Sequence, residues 1–379
     1  MADCLGQGQG AEEVGEVVRN VRRLLKPFFG DATDETQSDE QEETVDPQQA
    51  ASTLMRLING YQISQVIHVA ATLGIADLLK DGPRASADIA NATNTHPSST
   101  YRLLHALASA GVLEERADSH FLLTDIGQCL RSDSSQPRVA WARYIGRPYV
   151  WQSWGSLLHS VTTGEDAFRH LHGSGVWDWR AKQPDESRNF DAAMTELSSG
   201  VVKNIAAALD FSRWDCIVDV GGGQGAFLAG ILAIHPTVKG ILFDLPHVVA
   251  GAPAVLQANG VADRCQTVGG DMFSAVPRGG DAYVVKNVLM DEGDAEVCAI
   301  LRACRSGMGT SGRLIVIERL LTDPNRSEIN LSDMTMLVMT GGRERTLSEF
   351  TALFAEAGFH LEESVATRSP STLLIGAPV

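Results

Sequence analysis

The chain has 379 residues, 44% of them apolar and 21% charged, which suits a globular protein of two ordinary domains. A net charge of −16 repels phosphate backbones and counts against nucleic acid as partner or substrate. No stretch approaches the roughly 18 consecutive apolar residues of a membrane span, and the first residues lack the basic start and apolar core of a secretory signal.

Six scattered cysteines without a CxxC pair predict a reduced, cytoplasmic chain, and no His, Asp or Glu set has the spacing of a metal site. Residues 1–46 are expected to be a disordered leader. Asp31 to Val45 holds seven carboxylates, no basic residue and almost nothing to bury, so it cannot offset its ordering entropy. Ahead of it, Val17 to Leu25 has the pattern of a short amphipathic helix, but a solvated leader is favoured because acidic residues flank it.

A first domain is expected over 47–165. Leu54 to Leu79 reads as two helices interrupted at Gly60 and Gly74. Ser86 is placed as the cap of a short helix, Ala87 to Ala92, with Asp88 in its first turn. Ser98 to Ala110 puts Leu103, Leu104 and Leu107 on one helical face, Gly111 stops it, and Val112–Leu113 with Phe121–Leu123 flank Asp118–Ser119 as a small hairpin. Helices followed by a two-stranded wing are the order of a winged helix. Its third helix offers only Arg102 and His105 as cations, so interface or lid use is favoured over DNA reading.

The second domain, 166–379, alternates strands and helices. Cys216–Val220, Ile241–Asp244, Ala282–Val285 and Arg313–Ile317 are short apolar runs, which argues for a parallel, doubly wound sheet with helices on both faces. The first strand ends in Asp219-Val220-Gly221-Gly222-Gly223-Gln224-Gly225, where glycines let the backbone turn sharply and approach a ligand beside a helix N-terminus. Twenty-three residues on, Asp244 ends the second strand, placed to accept ribose hydroxyls. Gly270-Asp271-Met272-Phe273 follows the third strand, where Asp271 and Met272 suit an adenine's amino group and face. A bare strand-to-helix turn is the competing reading, and the acidic partners downstream argue against it.

On these pieces, with Phe243-Asp244-Leu245-Pro246, Val285-Lys286-Asn287-Val288-Leu289 and Gly342-Arg343-Glu344-Arg345-Thr346, the chain from about residue 55 onward resembles the plant-type and bacterial small-molecule O-methyltransferases, the family of caffeic acid and hydroxyindole methyltransferases. The resemblance implies an α/β class I methyltransferase sheet behind a winged-helix dimerisation domain, with S-adenosylmethionine as cofactor. It implies cofactor contacts from Gly221, Asp244, Asp271, Met272 and Lys286, with Ser198 near the cofactor's carboxylate. It further implies a homodimer in which the N-terminal domain closes the partner's acceptor pocket.

The family's stretch after the fourth strand resembles V-L-H-D-W; here it is Val288-Leu289-Met290-Asp291-Glu292. Methyl transfer is an in-line displacement, and a neutral phenol must lose its proton to attack well. A positioned base contributes typically 10²–10⁴ in rate, and the thioether of Met290 cannot act as one. Asp291, Glu318 and Glu344 remain as the acidic companions. Three readings stay open: methylation of an already acidic acceptor through proximity, a retained cofactor with changed chemistry (hydroxylation, decarboxylation or cyclisation), and a catalytically dead regulator.

Trp151, Trp154, Phe168, Trp177 and Trp179 precede the nucleotide half, and Phe190, Met194 and Met336 match acceptor-pocket positions of the family. Together they suit a flat small-molecule acceptor, although each aromatic is as readily ordinary core. His159, His170 and His172 are candidates for a replacement base, weaker than a surface or capping role for each.

Overall fold

The computed structural model describes residues 46–321 and 327–379, so the acidic leader and the Val17–Leu25 segment lie outside the described residues, Asp46 excepted. The chain divides into two compact units, one ending at Ser135 and the other running Gln136–Val379. The segment 136–165, assigned from sequence to the first domain, packs with the second unit. Tyr144, Tyr149 and Val150 share a core with Ala167, Phe168 and Ala193.

In the first unit, α1 (Pro47–Ile58) and α2 (Gly60–Thr72) are separated at Asn59, and α3 (Ile75–Leu78) follows the bend at Gly74. Next come α4 (Ser86–Thr93) and α5 (Pro97–Ser109). Ser86 is the first helical residue of α4 rather than its cap; the cap position is Ala85, with no side-chain bond. The hairpin of β2 (Leu113–Arg116) and β3 (His120–Leu123) is extended by β1 (Arg84–Ala85) into a three-stranded antiparallel sheet of order β1-β3-β2. Ile75, Ile89, Leu104, Leu107 and Phe121 form its core. The α5 cations are weak as DNA readers: His105 is held 2.7 Å from Glu115. By contrast α1 buries none of its residues within the unit.

The second unit is built on a seven-stranded sheet of order β6-β5-β4-β7-β8-β10-β9. Strands β4 (Cys216–Val220), β5 (Lys239–Asp244), β6 (Cys265–Gly269), β7 (Ala282–Lys286) and β8 (Arg313–Arg319) are parallel. The sheet is mixed rather than wholly parallel, because β9 (Phe359–Ala366) and β10 (Ser371–Pro378) pair antiparallel with each other and β10 with β8. The link between them, Thr367 to Pro370, is far shorter than the dozen or more residues a parallel crossover needs.

One face of the sheet is covered by α6 (Asp294–Gly307) and α7 (Leu347–Glu356), through Val297, Leu301, Phe350 and Phe354. The other is covered by α8 (Pro184–Ala208) and α9 (Ala226–Ile234), through Val202, Ile205, Leu228 and Leu232. The central strands are therefore buried on both sides, which explains their unbroken apolar runs. Strand order reverses between β4 and β7, and ligands of open α/β sheets bind outside the carboxyl ends at such a point. Over this edge lies a third cluster, rich in aromatic rings, drawn from 139–181, from α8 and from the end of the helix Ser327–Met339. Buried Glu196 of α8 ties it down, accepting the N–H groups of Ala140 and Trp141 at 2.9 and 3.1 Å.

Candidate active site

The loop after β4 is shaped by left-handed backbone at Gly221, Gly223 and Gly225 (φ 69°, 62° and 83°), open to glycine at little cost. It also has no room for side chains: a Cβ on Gly222 would stand 2.6 Å from Asp219 Oδ2, and one on Gly221 2.7 Å from the Val288 side chain. The loop from β4 thus touches the segment that follows β7, across the point of strand reversal. Asp244, at the end of β5, accepts from Gly223 N at 2.7 Å and Leu245 N at 2.6 Å, locking the loop to the second strand. Desolvation holds its carboxyl above the usual range, against those two bonds. Asp271 accepts from Phe273 N (3.0 Å) and the Ser274 hydroxyl (2.7 Å), and Met272 packs half-buried on the core near Phe243.

Beneath the loop, Asp219 is fully buried with Oδ2 unpartnered, and burial raises its pKa to about 7 against the opposing pull of Lys286. Lys286 is depressed by the same desolvation, and its ammonium lies 5.8 Å from the Phe227 ring centre. Ser198 sits two turns beyond Asp191 on one face of α8. Asp191 itself faces the loop, accepting from Gln224 Nε2 at 3.4 Å, and burial followed by the charge of Asp244 raises its carboxyl. Asp191 was missed from sequence because a carboxylate in the early turns of a long helix looks like ordinary surface.

Beyond Lys286 the chain takes a left-handed residue, Asn287 (φ 52°), whose buried Oδ1 has no partner. A single 3-10 turn, Leu289–Asp291, then carries Met290 and Asp291. It is held from two sides. Glu318 Oε1, from β8, accepts both Val288 N and Leu289 N at 2.9 Å. The fully buried Arg345 donates to the Leu289 and Glu292 carbonyls, each at 2.7 Å, and pairs with Asp294 at 2.8 Å. Gly342 lies against the same turn, where any Cβ would overlap the Met290 carbonyl oxygen. Sequence reasoning listed Gly342 and Arg345 within a motif but gave neither a role; only the folded turn shows what they touch.

The acids expected around Met290 do converge. Glu344 accepts from the Ser332 hydroxyl at 2.7 Å, and Glu318 and Glu344 each leave Oε2 buried without a partner. Burial, then Glu344, raises Glu318 to about 7; burial, then Glu318 and Glu292, holds Asp291 well above the carboxylate range. Glu292 is itself raised to about 7 by burial and Glu296. No group of three or more His, Cys, Asp or Glu among the described residues has metal-holding geometry.

Phe190 and Met194 of α8 are half-buried and pack on the aromatic cluster, Phe190 edge-on against Tyr144 and Trp177, while Met336, outside that cluster, is 8% exposed. Phe168 is wholly buried between Tyr149 and Trp179, so it is core rather than pocket wall. His159 and His170 stack on each other at 3.8 Å, while His172 packs against Phe168 with Nε2 buried and unpartnered.

With this geometry in view, comparison with known proteins is decisive. Residues 154–360 match the model of the O-methyltransferase domain, and 55–133 that of the O-methyltransferase dimerisation domain. The chain belongs to the O-methyltransferase family. Among relatives of this methyltransferase, the phenazine O-methyltransferase PhzM of Lysobacter antibioticus is 37% identical over 87% of this chain and 96% of its own. The mitomycin biosynthesis 6-O-methyltransferase of Streptomyces lavendulae is 36% identical over 83% and 91%. A similar solved structure, the O-methyltransferase NcsB1 from neocarzinostatin biosynthesis in complex with S-adenosylmethionine and 2-hydroxy-5-methyl naphthoic acid, has a TM-score of 0.72 at 30% identity, covering 84% of this chain and 96% of that one. N-methyltransferases stand among the relatives as well. The protein is an S-adenosylmethionine-dependent methyltransferase, and the close backbone approach at Gly221–Gly225 with acids at two adjacent strand ends suits that cofactor.

Glu318 generates a pH-dependent stability. Its folded pKa, about 7, lies above the ordinary 4.5, so the fold holds its proton more tightly than the open chain does. That contribution is fully present below pH 4.5 and is lost as pH rises through about 7. Glu318→Gln keeps the acceptor for Val288 and Leu289 but cannot ionise. Denaturant unfolding should show the variant gaining on the parent between pH 5 and pH 8, by about 2 kcal/mol; a constant difference would contradict the assignment.

Proposed function

We propose that this enzyme transfers a methyl group from S-adenosylmethionine to an oxygen of a small aromatic acceptor that is already acidic, in the cytoplasm, as a homodimer. What supports the reading is a glycine loop with acids at two strand ends, beside a firmly held turn that carries Met290 where the family's histidine is expected. Gly221, Asp244, Asp271, Met272 and Lys286 are assigned to the nucleoside and methionine moieties, with Ser198 at the carboxylate end. The sulfonium supplies the electrophilic methyl group.

The chain's own contribution is positional. Glu318 and Arg345 hold the turn, Met290 offers an apolar contact, and the buried acids Asp291 and Glu344 flank it. Phe190, Met194 and Met336 form the acceptor's apolar wall. With no imidazole in the turn, alignment is the main lever, and it can supply roughly 7–11 kcal/mol of a displacement barrier. Relatives acting on phenazines and mitomycins support an aromatic acceptor. The free thiols of Cys129, Cys216, Cys265, Cys298 and Cys304 suit a cytoplasmic setting. A second reading, a retained cofactor with changed chemistry, draws on the same substitution at Met290.

The dimer rests on the apolar stripe of α1 and α2. Leu54, Met55, Leu57 and Ile58 are each 55–58% exposed within the chain, and Tyr61 continues the row. Patches of this kind mark interfaces. Leu54→Glu combined with Ile58→Glu should convert the protein to a folded monomer by light scattering; an unchanged dimer would refute the surface.

Asp244→Ala should weaken S-adenosylmethionine at least tenfold in calorimetry, about 1.4 kcal/mol. Unchanged affinity would remove Asp244 from the cofactor site. Met290→His returns an imidazole to a turn that keeps Asp291, Glu318 and Glu344, so ordinary phenols should gain tenfold or more in methylation rate. If phenol methylation stays undetectable while the parent transforms its substrate without consuming cofactor, the second reading replaces the first.

A further inference from the structure

Arg180, in the short helix Val176–Ala181, is 5% exposed and lies inside the aromatic cluster. A buried guanidinium is costly unless its charge and its five donors are met. Its carbon stands 3.7 Å from the Phe190 ring centre and 5.1 Å from that of Trp177, and Nη2 donates to the Tyr144 hydroxyl at 3.0 Å. Rings and a phenol attract the cation without neutralising it. Nε is buried with no acceptor, and among the described residues no carboxylate comes within ion-pair distance.

Phe190, on which Arg180 stacks, is followed in α8 by Asp191, which accepts from Gln224 of the glycine loop, so the guanidinium lies close to that end of the site. Asp191 and Asp291 both sense its charge. Phe190, the ring stacked on it, is also the residue assigned to the acceptor's wall. A planar fork with a donor left over, packed among flat rings, matches a planar oxyanion.

We infer that Arg180 receives an oxyanion of the acceptor, so that the substrate class is an anionic aromatic, a ring carrying a carboxylate or an ionised hydroxyl. The inference rests on the methyltransferase reading above and deepens it. Where the oxyanion is the accepting oxygen itself, it also supplies what Met290 lacks, because an acceptor bound as its phenolate needs no base in the turn.

The test uses the full chain saturated with S-adenosylhomocysteine, whose own binding is measured first. Calorimetry then compares 3-hydroxy-2-naphthoate, its neutral isostere 3-hydroxy-2-naphthamide, and 1-nitro-2-naphthol, a phenolate near neutral pH. The parent should bind at least one anion tenfold or more tighter than the amide. Arg180→Met should erase that preference while leaving S-adenosylhomocysteine and amide affinities within twofold. A preference confined to the naphthoate assigns the charge to a ring carboxylate, and one shared by the nitronaphthol to the acceptor oxygen; both support the inference. Should Arg180→Met fail to fold, Arg180→Lys, which keeps the charge but loses the fork, must weaken the preference at least threefold. No preference in the parent, no binding of either anion, or a preference that survives in a folded Arg180→Met overturns the inference. Failure of the parent to bind S-adenosylhomocysteine would instead strike at the methyltransferase reading itself.

Discussion

A buried carboxylate and a buried guanidinium, Glu318 and Arg345, hold one turn between them without touching each other. The 288–292 segment leaves a strand and makes only a single 3-10 turn, too short to satisfy its own backbone. Glu318 takes two of its N–H groups and Arg345 two of its carbonyls. Each unmet group in so dry a place would cost about 1–3 kcal/mol, so the turn's shape is fixed from both polar faces at once. Met290 and Asp291, carried on the turn, inherit their position from that double hold. Gly342 completes it by letting the backbone of the following loop lie directly on the turn.

This arrangement concentrates ionisable groups where water is scarce. Asp219, Glu318, Glu292 and Asp291 are all raised by burial, with Lys286 depressed beside them. Groups displaced this way cluster at working sites, because the fold tolerates desolvated charge only where function gains from it. Unpartnered oxygens on Asp219, Glu318 and Glu344, and on the left-handed Asn287, mark the same strip of the sheet edge. The strip coincides with the reversal of strand order between β4 and β7, the place where open α/β sheets bind ligands. Fold and chemistry thus meet at one place for a geometric reason.

Much of this was legible along the chain because the signals are local. A glycine loop needs left-handed backbone at fixed positions, a buried strand needs an unbroken apolar run, and both can be read from neighbouring residues. Strands β4, β5, β7 and β8, the loop at Gly221–Gly225 and the acids at strand ends were found this way, whereas β6, the half-exposed Cys265–Gly269, has no such run. Local reading misplaced what neighbours decide. Ser86 opens its helix instead of capping it, Phe168 is core, and the last hairpin makes the otherwise parallel sheet mixed. The 136–165 segment joins the second unit because its aromatic side chains find their partners there.

By itself the sequence determined the class of fold, the family and its cofactor, since each is written in residue type and short-range spacing. Only the tertiary structure decided which charges are unpaired. Arg345, between Glu344 and Thr346, and Arg180, between Trp179 and Ala181, give no sign in the sequence of how each is partnered. Folded, one donates to the Leu289 and Glu292 carbonyls and pairs with Asp294, while the other stacks on Phe190 with a donor to spare. The difference arises from contacts between residues tens of positions apart, and burial, which sets the energy of a charge, is a property of those contacts alone.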